Sequence, residues 1–480
     1  MKSELLIAKA FWHSAWNNKA TYVLVTVLLI LVAYASYSGW QRYSSQAEMQ
    51  EHYQHEAREA WLANPDKHPH RMAHYGHFAF RPKSPLSFFD LGMESFFGNA
   101  IFLEAHVQNS SNFSEAGFST GRLRFGEISL ASIIQIVLPL IIIFLAFASI
   151  SAERESGTLK LYFTQGVSWR ALITGKFLGS FSVAMILLLP IILLTGVARA
   201  TMPGPAMTSE ELIRIALLLL SYTIYIAVFC AGTVVISALS RNSKTALSAL
   251  IGIWLVFVII LPRASQSLGS MIYKTPSKAR FAAAVQDEII KTGDSHNPDD
   301  PYYRAFKDSV LKANNTDSIQ NLPFNYSGLA MKEGERITAE IHSRHLSRLQ
   351  ERFALQNGFS RIISFINPYM TVRNVSMALS GTDYASYTDF QQQAENYRYK
   401  LAQTMNTLQI EHISNKSIVS TEQPATIDKK YWASIDDFRY QPVKIVTSLK
   451  HELSSMIALT LWLVVLIALF SGLSKKLRVV

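Results

Sequence analysis

The chain has 480 residues, 49% of them hydrophobic, and a formal net charge of +10. Its apolar residues are segregated into runs near the roughly 20-residue length that crosses a bilayer, which excludes an ordinary soluble enzyme. Its bases gather beside those runs, so the charge is a topology signal and not a nucleic-acid footprint, and the single cysteine, Cys230, excludes an intrachain disulfide.

In chain order, residues 1–20 open with a helical pattern in which Leu5, Ala8, Trp12, Ala15 and Trp16 share a face. Tryptophans so placed suit a helix lying in the membrane interface. A first span is expected at 21–39. Within it Ala33-Tyr34-Ala35 mimics a signal-peptidase site, but the long Trp-rich leader argues against cleavage. Residues 40–127 form a first large segment outside the membrane. It is helical from Gln46 to Leu62 and then rich in Pro, Gly and aromatic residues beyond Asn64-Pro65. Spans two and three are expected at 128–150 and 172–197, separated by a charged loop at 151–171. Spans four and five are expected at 211–238 and 245–262, and span six at 454–473, before a tail at 474–480. Pro139 and Pro190 lie within spans, where neighbouring helices can satisfy the carbonyls they release.

The second outer segment, 263–452, is patterned as helices near 277–292, 329–357 and 384–412. Residues 359–380 are more apolar, are interrupted at Asn367-Pro368, and are placed against the membrane face. Gly381-Thr382-Asp383 is expected to stop one helix and cap the next. Placing both termini in the cytoplasm puts Lys2, Lys9, Lys19, Arg154, Lys160, Arg170, Lys176, Arg241, Lys244, Lys475, Lys476 and Arg478 inside, with nearly all of the net charge. Anionic lipid headgroups are their natural neighbours.

The loop between spans two and three holds Glu153-Arg154-Glu155, Gly157-Thr158-Leu159, then Tyr162 and Phe163, and re-enters the membrane through Gly175-Lys176. This segment resembles the coupling helix of ABC-2 type (type V, G-like) transporter permeases, at the matching positions Glu153, Glu155, Gly157, Thr158, Leu159, Gly175 and Lys176. The resemblance implies docking on a separate ATPase dimer that supplies ATP and magnesium, with no cofactor in this chain. Glu153, Arg154, Glu155, Gly157 and Thr158 are then expected to dock, and Leu159, Tyr162 and Phe163 to enter a groove on the ATPase. Gly157 would turn the chain and Thr158 would cap the short helix.

A second set of motifs comprises Asn367-Pro368-Tyr369, Ser376-Met377-Ala378-Leu379-Ser380-Gly381-Thr382-Asp383, Phe390, and Ala394 to Arg398. In the first segment stand Ala73-His74-Tyr75-Gly76, Phe80, Pro82, Pro85-Leu86-Ser87 and Leu103-Glu104-Ala105-His106. These are similar to bacterial permeases carrying the domain DUF3526, which implies a bacterial inner-membrane location and large periplasmic insertions. It also implies a second permease subunit, either a copy of this chain or a different protein.

No phosphate-cradling Gly-x-x-x-x-Gly-Lys and no His-Glu-x-x-His occurs, so catalysis by this chain is not expected. His68, His70, His74 and His77, with Glu104 and His106, could supply metal ligands if they converge. Their spacing matches no compact metal motif, so no metal is expected, with His74, His77, Glu104 and His106 as the weak candidates. Asn112-Phe113-Ser114 has the form of a glycosylation acceptor, which a bacterial setting makes moot.

The expected architecture is an all-α integral membrane protein: six spans, an N-terminal interfacial helix, a cytoplasmic coupling helix and two mainly helical periplasmic insertions. The expected function is the permease subunit of an ATP-driven exporter. Two alternatives stand beside it. One is a mechanotransmission complex that acts on a periplasmic partner without moving a substrate across the bilayer. The other is a membrane-anchored periplasmic binding or metal-handling protein.

Overall fold

A computed structural model describes residues 2–109, 128–204, 206–295, 297, 299–415 and 425–476. Asn112-Phe113-Ser114 and Arg478 lie outside the described residues. The fold is 76% helical, and six helices are long and apolar enough to cross a membrane, as the apolar runs require.

Helix α1 (Lys2–Asn17) precedes α2 (Lys19–Leu62), which carries the first span. At about 1.5 Å per residue, the 44 residues of α2 extend roughly 66 Å, about twice the hydrocarbon core. The patterned stretch 46–62 therefore prolongs the first span without a break. After α3 (Pro69–Tyr75), strands β1 (His77–Phe80) and β2 (Ala100–Leu103) form an antiparallel ribbon with His77 opposite Leu103. The second span is α4 (Leu130–Glu155), with a π-helical turn at Ile133–Val137. The short α5 (Thr158–Thr164) leads to α6 (Trp169–Thr201), α7 (Ser209–Leu239) and α8 (Ser243–Ile272), which carry spans three to five.

Helix α8 runs ten residues past the expected end of the fifth span, through Pro262. A π turn at Val256–Ile260 precedes this proline, and the Asn367 side-chain amide donates to the Phe257 carbonyl at 2.8 Å. A side chain thus satisfies backbone that a proline would otherwise leave open.

After the fifth span follow α9 (Lys278–Thr292), α10 (Pro301–Ala313) and α11 (Tyr326–Ser364). Next come α12 (Pro368–Ser380), α13 (Tyr384–His412), α14 (Lys430–Ala433) and α15 (Ile445–His451). The sixth span is α16 (Leu453–Lys476). Gly381 ends α12 with φ +69°, and the Asp383 side chain accepts from the Ser386 N–H at 3.1 Å to start α13.

Two features depart from the sequence reading. First, the outer segments are not separate domains. Trp61, Met72 and Ala105 of the first share a core with Leu401, Met405, Ile427 and Trp432 of the second. The ribbon residues Ala79, Ile101 and Leu103 pack on Phe390, Ala394 and Phe438. A two-stranded ribbon is marginally stable alone, and helix α13 covers this one. Second, α12 does not lie on the membrane face. Tyr369, Met370, Val372, Val375 and Leu379 are buried in the same core as Leu28, Val32, Ile134, Leu187 and Tyr222. A thirteen-residue helix with that many apolar and small residues is stable only when surrounded, so it plugs one end of the span bundle.

At the other end of the bundle α1 lies against α6. Ile7, Phe11 and Ala15, one helical turn apart, form its buried face, whereas Leu5 and Leu6 are exposed. Of the face expected from the sequence, Ala15 is buried and Ala8, Trp12 and Trp16 are half-buried, but Leu5 is exposed, so the contact is turned toward Ile7 and Phe11. The cause lies in α6: a Cβ added to Gly175 would sit 2.7 Å from Ile7 Cβ, and one added to Gly179 2.8 Å from Phe11 Cβ. Small residues four apart let two helices approach this closely.

Candidate functional site

The loop between α4 and α6 is fastened on every side. Gly157 takes φ +77° with open space around the missing Cβ, which reverses the chain between Glu155 and α5. Gly157 itself occupies the cap position of α5. Thr158 is the first residue inside the helix, and its hydroxyl donates back to the Glu153 carbonyl at 3.2 Å and meets Ser156 Oγ at 2.9 Å. Thr158 therefore stitches the turn and does not cap the helix. Ser168 caps α6 by accepting from the Ala171 N–H at 3.2 Å.

All three charges find partners within the chain. Glu153 pairs with the buried Lys176 ammonium and accepts from the Tyr162 hydroxyl at 3.3 Å. Burial and the Glu153 charge both push the Tyr162 phenol up. Arg154 donates to the carbonyls of Ala238, at 2.6 Å, and of Ser240 at the end of α7. Glu155 accepts from the Ser243 N–H at 3.1 Å and from its hydroxyl at 2.7 Å, at the start of α8. The Ser237 hydroxyl of α7 accepts from the N–H groups of Ile150 and Ser151 at 3.0 and 3.1 Å. One short segment thus binds the ends of four spans.

The apolar residues divide differently from expectation. Leu159 is buried with Ile7, Ile150, Trp169, Leu172, Val234 and Ala238. Phe163 packs on Trp169 with ring centroids 4.9 Å apart, and Tyr162 is half-buried over Glu153. Leu159, Tyr162 and Phe163 are therefore the inner face of α5, because they fall toward the apolar span ends. The outward face carries Thr158, Lys160, Leu161, Thr164 and Gln165, and Leu161 is 59% exposed. The sequence holds the signal for this: Leu161 stands two residues from Leu159 and from Phe163, on the opposite side of a helix.

A buried polar chain occupies the opposite end of the bundle. Pro139 lacks an N–H, and the Gln135 carbonyl one turn earlier accepts from the Tyr225 hydroxyl at 2.6 Å. The Gln135 amide donates to Tyr222 Oη at 2.8 Å, Tyr222 donates to Ser376 Oγ at 2.7 Å, and Ser376 donates to Asp90. Asp90 also accepts from the Gly92 N–H at 3.0 Å, and burial pushes its carboxyl above the usual carboxylate range. Arg214 of α7 donates to the Leu379 carbonyl at 3.1 Å and to the Val443 carbonyl at 2.6 Å. These bonds join spans two and four to α12 and to the outer body. Of these residues the sequence marks Ser376, in the Ser376–Asp383 motif, but not Gln135, Tyr222 or Asp90. A polar Gln within an apolar run is the one signal that pointed there.

Of the histidines, His70, His74 and His106 come together, with candidate ligand atoms all within 4.8 Å of one another. His77 lies apart, 3.5 Å from Asp437 and edge-on to Trp61. Glu104 accepts from the Asn109 amide at 3.1 Å. His77 and Glu104 are thus not part of the cluster, and His70 replaces them.

Residues 104–283 match the ABC-2 family transporter protein model, and residues 278–441 match the domain of unknown function DUF3526. The chain is 29% identical over 154 residues to the probable ABC transporter permease protein NosY of Stutzerimonas stutzeri. That alignment covers 30% of this chain and 53% of the relative, so the chain spans about half the length of the curated protein it matches.

Proposed function

Because the chain belongs to the ABC-2 family of transporter permeases, in the group that carries DUF3526, we propose that it is the membrane subunit of an ATP-driven exporter in a bacterial inner membrane. Both termini and the 151–171 loop face the cytoplasm in this reading, and the joint outer body faces the periplasm. A partner ATPase dimer binds ATP with magnesium and presses on the loop, and a second permease subunit completes the pathway.

The observation that carries this reading is the attachment of Glu153, Arg154 and Glu155 to the ends of α6, α7 and α8. A push on α5 is delivered to the spans at once, because rigid hydrogen-bonded elements move together. The docking surface proper is then the outward face around Leu161, and the carboxylates form the layer that holds it.

Leu161→Asp tests this. It alters an exposed side chain, so insertion and folding should be retained while co-purified ATPase falls. Burial of one leucine in a partner groove is worth about 1.5–3 kcal/mol, or roughly 10- to 100-fold in affinity. Unchanged ATPase recovery and unchanged ATP turnover in nanodiscs would remove the docking assignment.

A second reading, mechanotransmission, draws on the chain from Gln135 through Tyr222 and Ser376 to Asp90. It links the spans to the outer body, so ATP-driven motion could be spent on reshaping that body or a periplasmic partner. Transport assays in vesicles separate the two, since only an exporter moves a substrate.

A further inference from the structure

The three converging histidines lie at the edge of the outer body, and the permease reading makes no use of them. His70 and His74 stand one turn apart on α3 and so project from one face. His106 follows β2 and holds φ +63°, a left-handed backbone uncommon for residues with a side chain. Glu335 holds His106 there. This carboxylate is fully buried, and its Oε2 lies 3.0 Å from both the backbone nitrogen and the Nδ1 of His106. Its other oxygen faces Arg398 at 2.7 Å.

A carboxylate at Nδ1 makes that nitrogen the donor and leaves the lone pair on Nε2, as in histidines that bind metals. The ring centroids are 4.6 Å apart for His70 and His74, 5.5 Å for His70 and His106, and 5.4 Å for His74 and His106. His74 is exposed while His70 and His106 are half-buried, so the cluster opens to solution on one side.

We propose that His70, His74 and His106 bind one late first-row transition ion of the zinc and copper class, with Glu335 as a positioning residue. Three imidazoles favour such an ion over magnesium or calcium, which take oxygen ligands. With bonds of about 2.0–2.1 Å, tetrahedral geometry brings the nitrogens to roughly 3.4 Å from one another. The exposed His74 ring can supply that contraction by rotating. A fourth position stays open for water or for a donor from a cargo or partner, as in a site that hands its ion on.

The test uses the full-length protein in detergent, stripped with a chelator and re-incubated with zinc. Expected are about one zinc per chain after gel filtration and, with cobalt(II), the strong visible bands of a tetrahedral site. Magnesium and calcium are not retained. His74→Ala alters an exposed ring, so it should elute as the wild type does while zinc falls to background. His70→Ala should do the same. Glu335→Gln removes no ligand and should weaken zinc binding by about 10- to 100-fold. Wild-type zinc no greater than that of the His70→Ala, His74→Ala double variant overturns the proposal. So does a cobalt spectrum that survives in that variant.

Discussion

Glu155 of the second-span helix holds the first residue of the fifth, accepting from both the backbone N–H and the hydroxyl of Ser243 at 3.1 and 2.7 Å. A carboxylate at a helix N-terminus satisfies open N–H groups and faces the positive end of the helix dipole. Arg154 does the converse at the C-terminal end of the fourth-span helix, donating to its last carbonyls. Neighbouring residues of opposite charge thus grip the two helix ends that meet at Ser240 to Ser243.

This arrangement ranks the acidic residues. Glu155 is exposed, so Glu155→Ala should cost no more than about 0.3–1 kcal/mol, reduced by solvent screening. Glu153→Ala strands a Lys176 ammonium that is 7% exposed, and breaking such a buried pair costs about 3–5 kcal/mol. Melting midpoints in detergent should fall far more for Glu153→Ala. Equal midpoints would mean that Lys176 finds water without Glu153. For the same reason Glu153→Lys is a poor probe of docking, since it sets two ammonium groups side by side.

The close approach of α1 to α6 predicts a second outcome. Gly175→Val with Gly179→Val places methyl groups where Ile7 and Phe11 now sit, and overpacking of this kind costs about 1–3 kcal/mol. Helix α1 should lift from the bundle, which limited proteolysis near Asn17-Asn18 would register as faster cleavage. An unchanged cleavage rate would show that α1 is not held by this contact.

Asp90 predicts a pH dependence. Burial raises its carboxyl against the hydrogen bonds from Ser376 and Gly92 and the charge of Arg373. A carboxyl raised in the folded state contributes stability that is complete below its unfolded value of about 3.9 and is lost as pH rises through the folded value. Asp90→Asn keeps a neutral group at every pH. The wild type should therefore lose more stability than Asp90→Asn between about pH 5 and pH 8, with the gap in melting midpoints widening toward alkaline pH. A gap that stays constant would place an ionised Asp90 in the fold.

Orientation can be read with single cysteines, because Cys230 is buried and reports little. Ser45, Ser309 and Ser156 are all exposed. Ser45→Cys and Ser309→Cys should react with a membrane-impermeant thiol reagent added to intact spheroplasts, and Ser156→Cys only after lysis. Reaction at Ser156→Cys from outside would invert the proposed topology and remove the proposed docking of the 151–171 loop on an ATPase.

The sequence by itself determined the membrane core and the helices. Runs near 20 apolar residues mark the six spans because bilayer thickness is a fixed length. Helix α13 begins where its cap residue, Asp383, places it. Such features are local, settled by neighbours within a few residues. Tertiary structure alone decided what depends on distant partners. The Glu153 side chain turns to Lys176 and Leu159 turns inward because the ends of α6 and α7 are there to receive them. His106 joins His70 and His74 because Glu335, from a helix more than two hundred residues later, fixes its backbone. Helix α12 entered the bundle because spans two, four and six offered an apolar socket closed by Tyr222 and Asp90. Helical and apolar periodicity tells which face of a segment avoids water. It does not tell which distant surface that face meets.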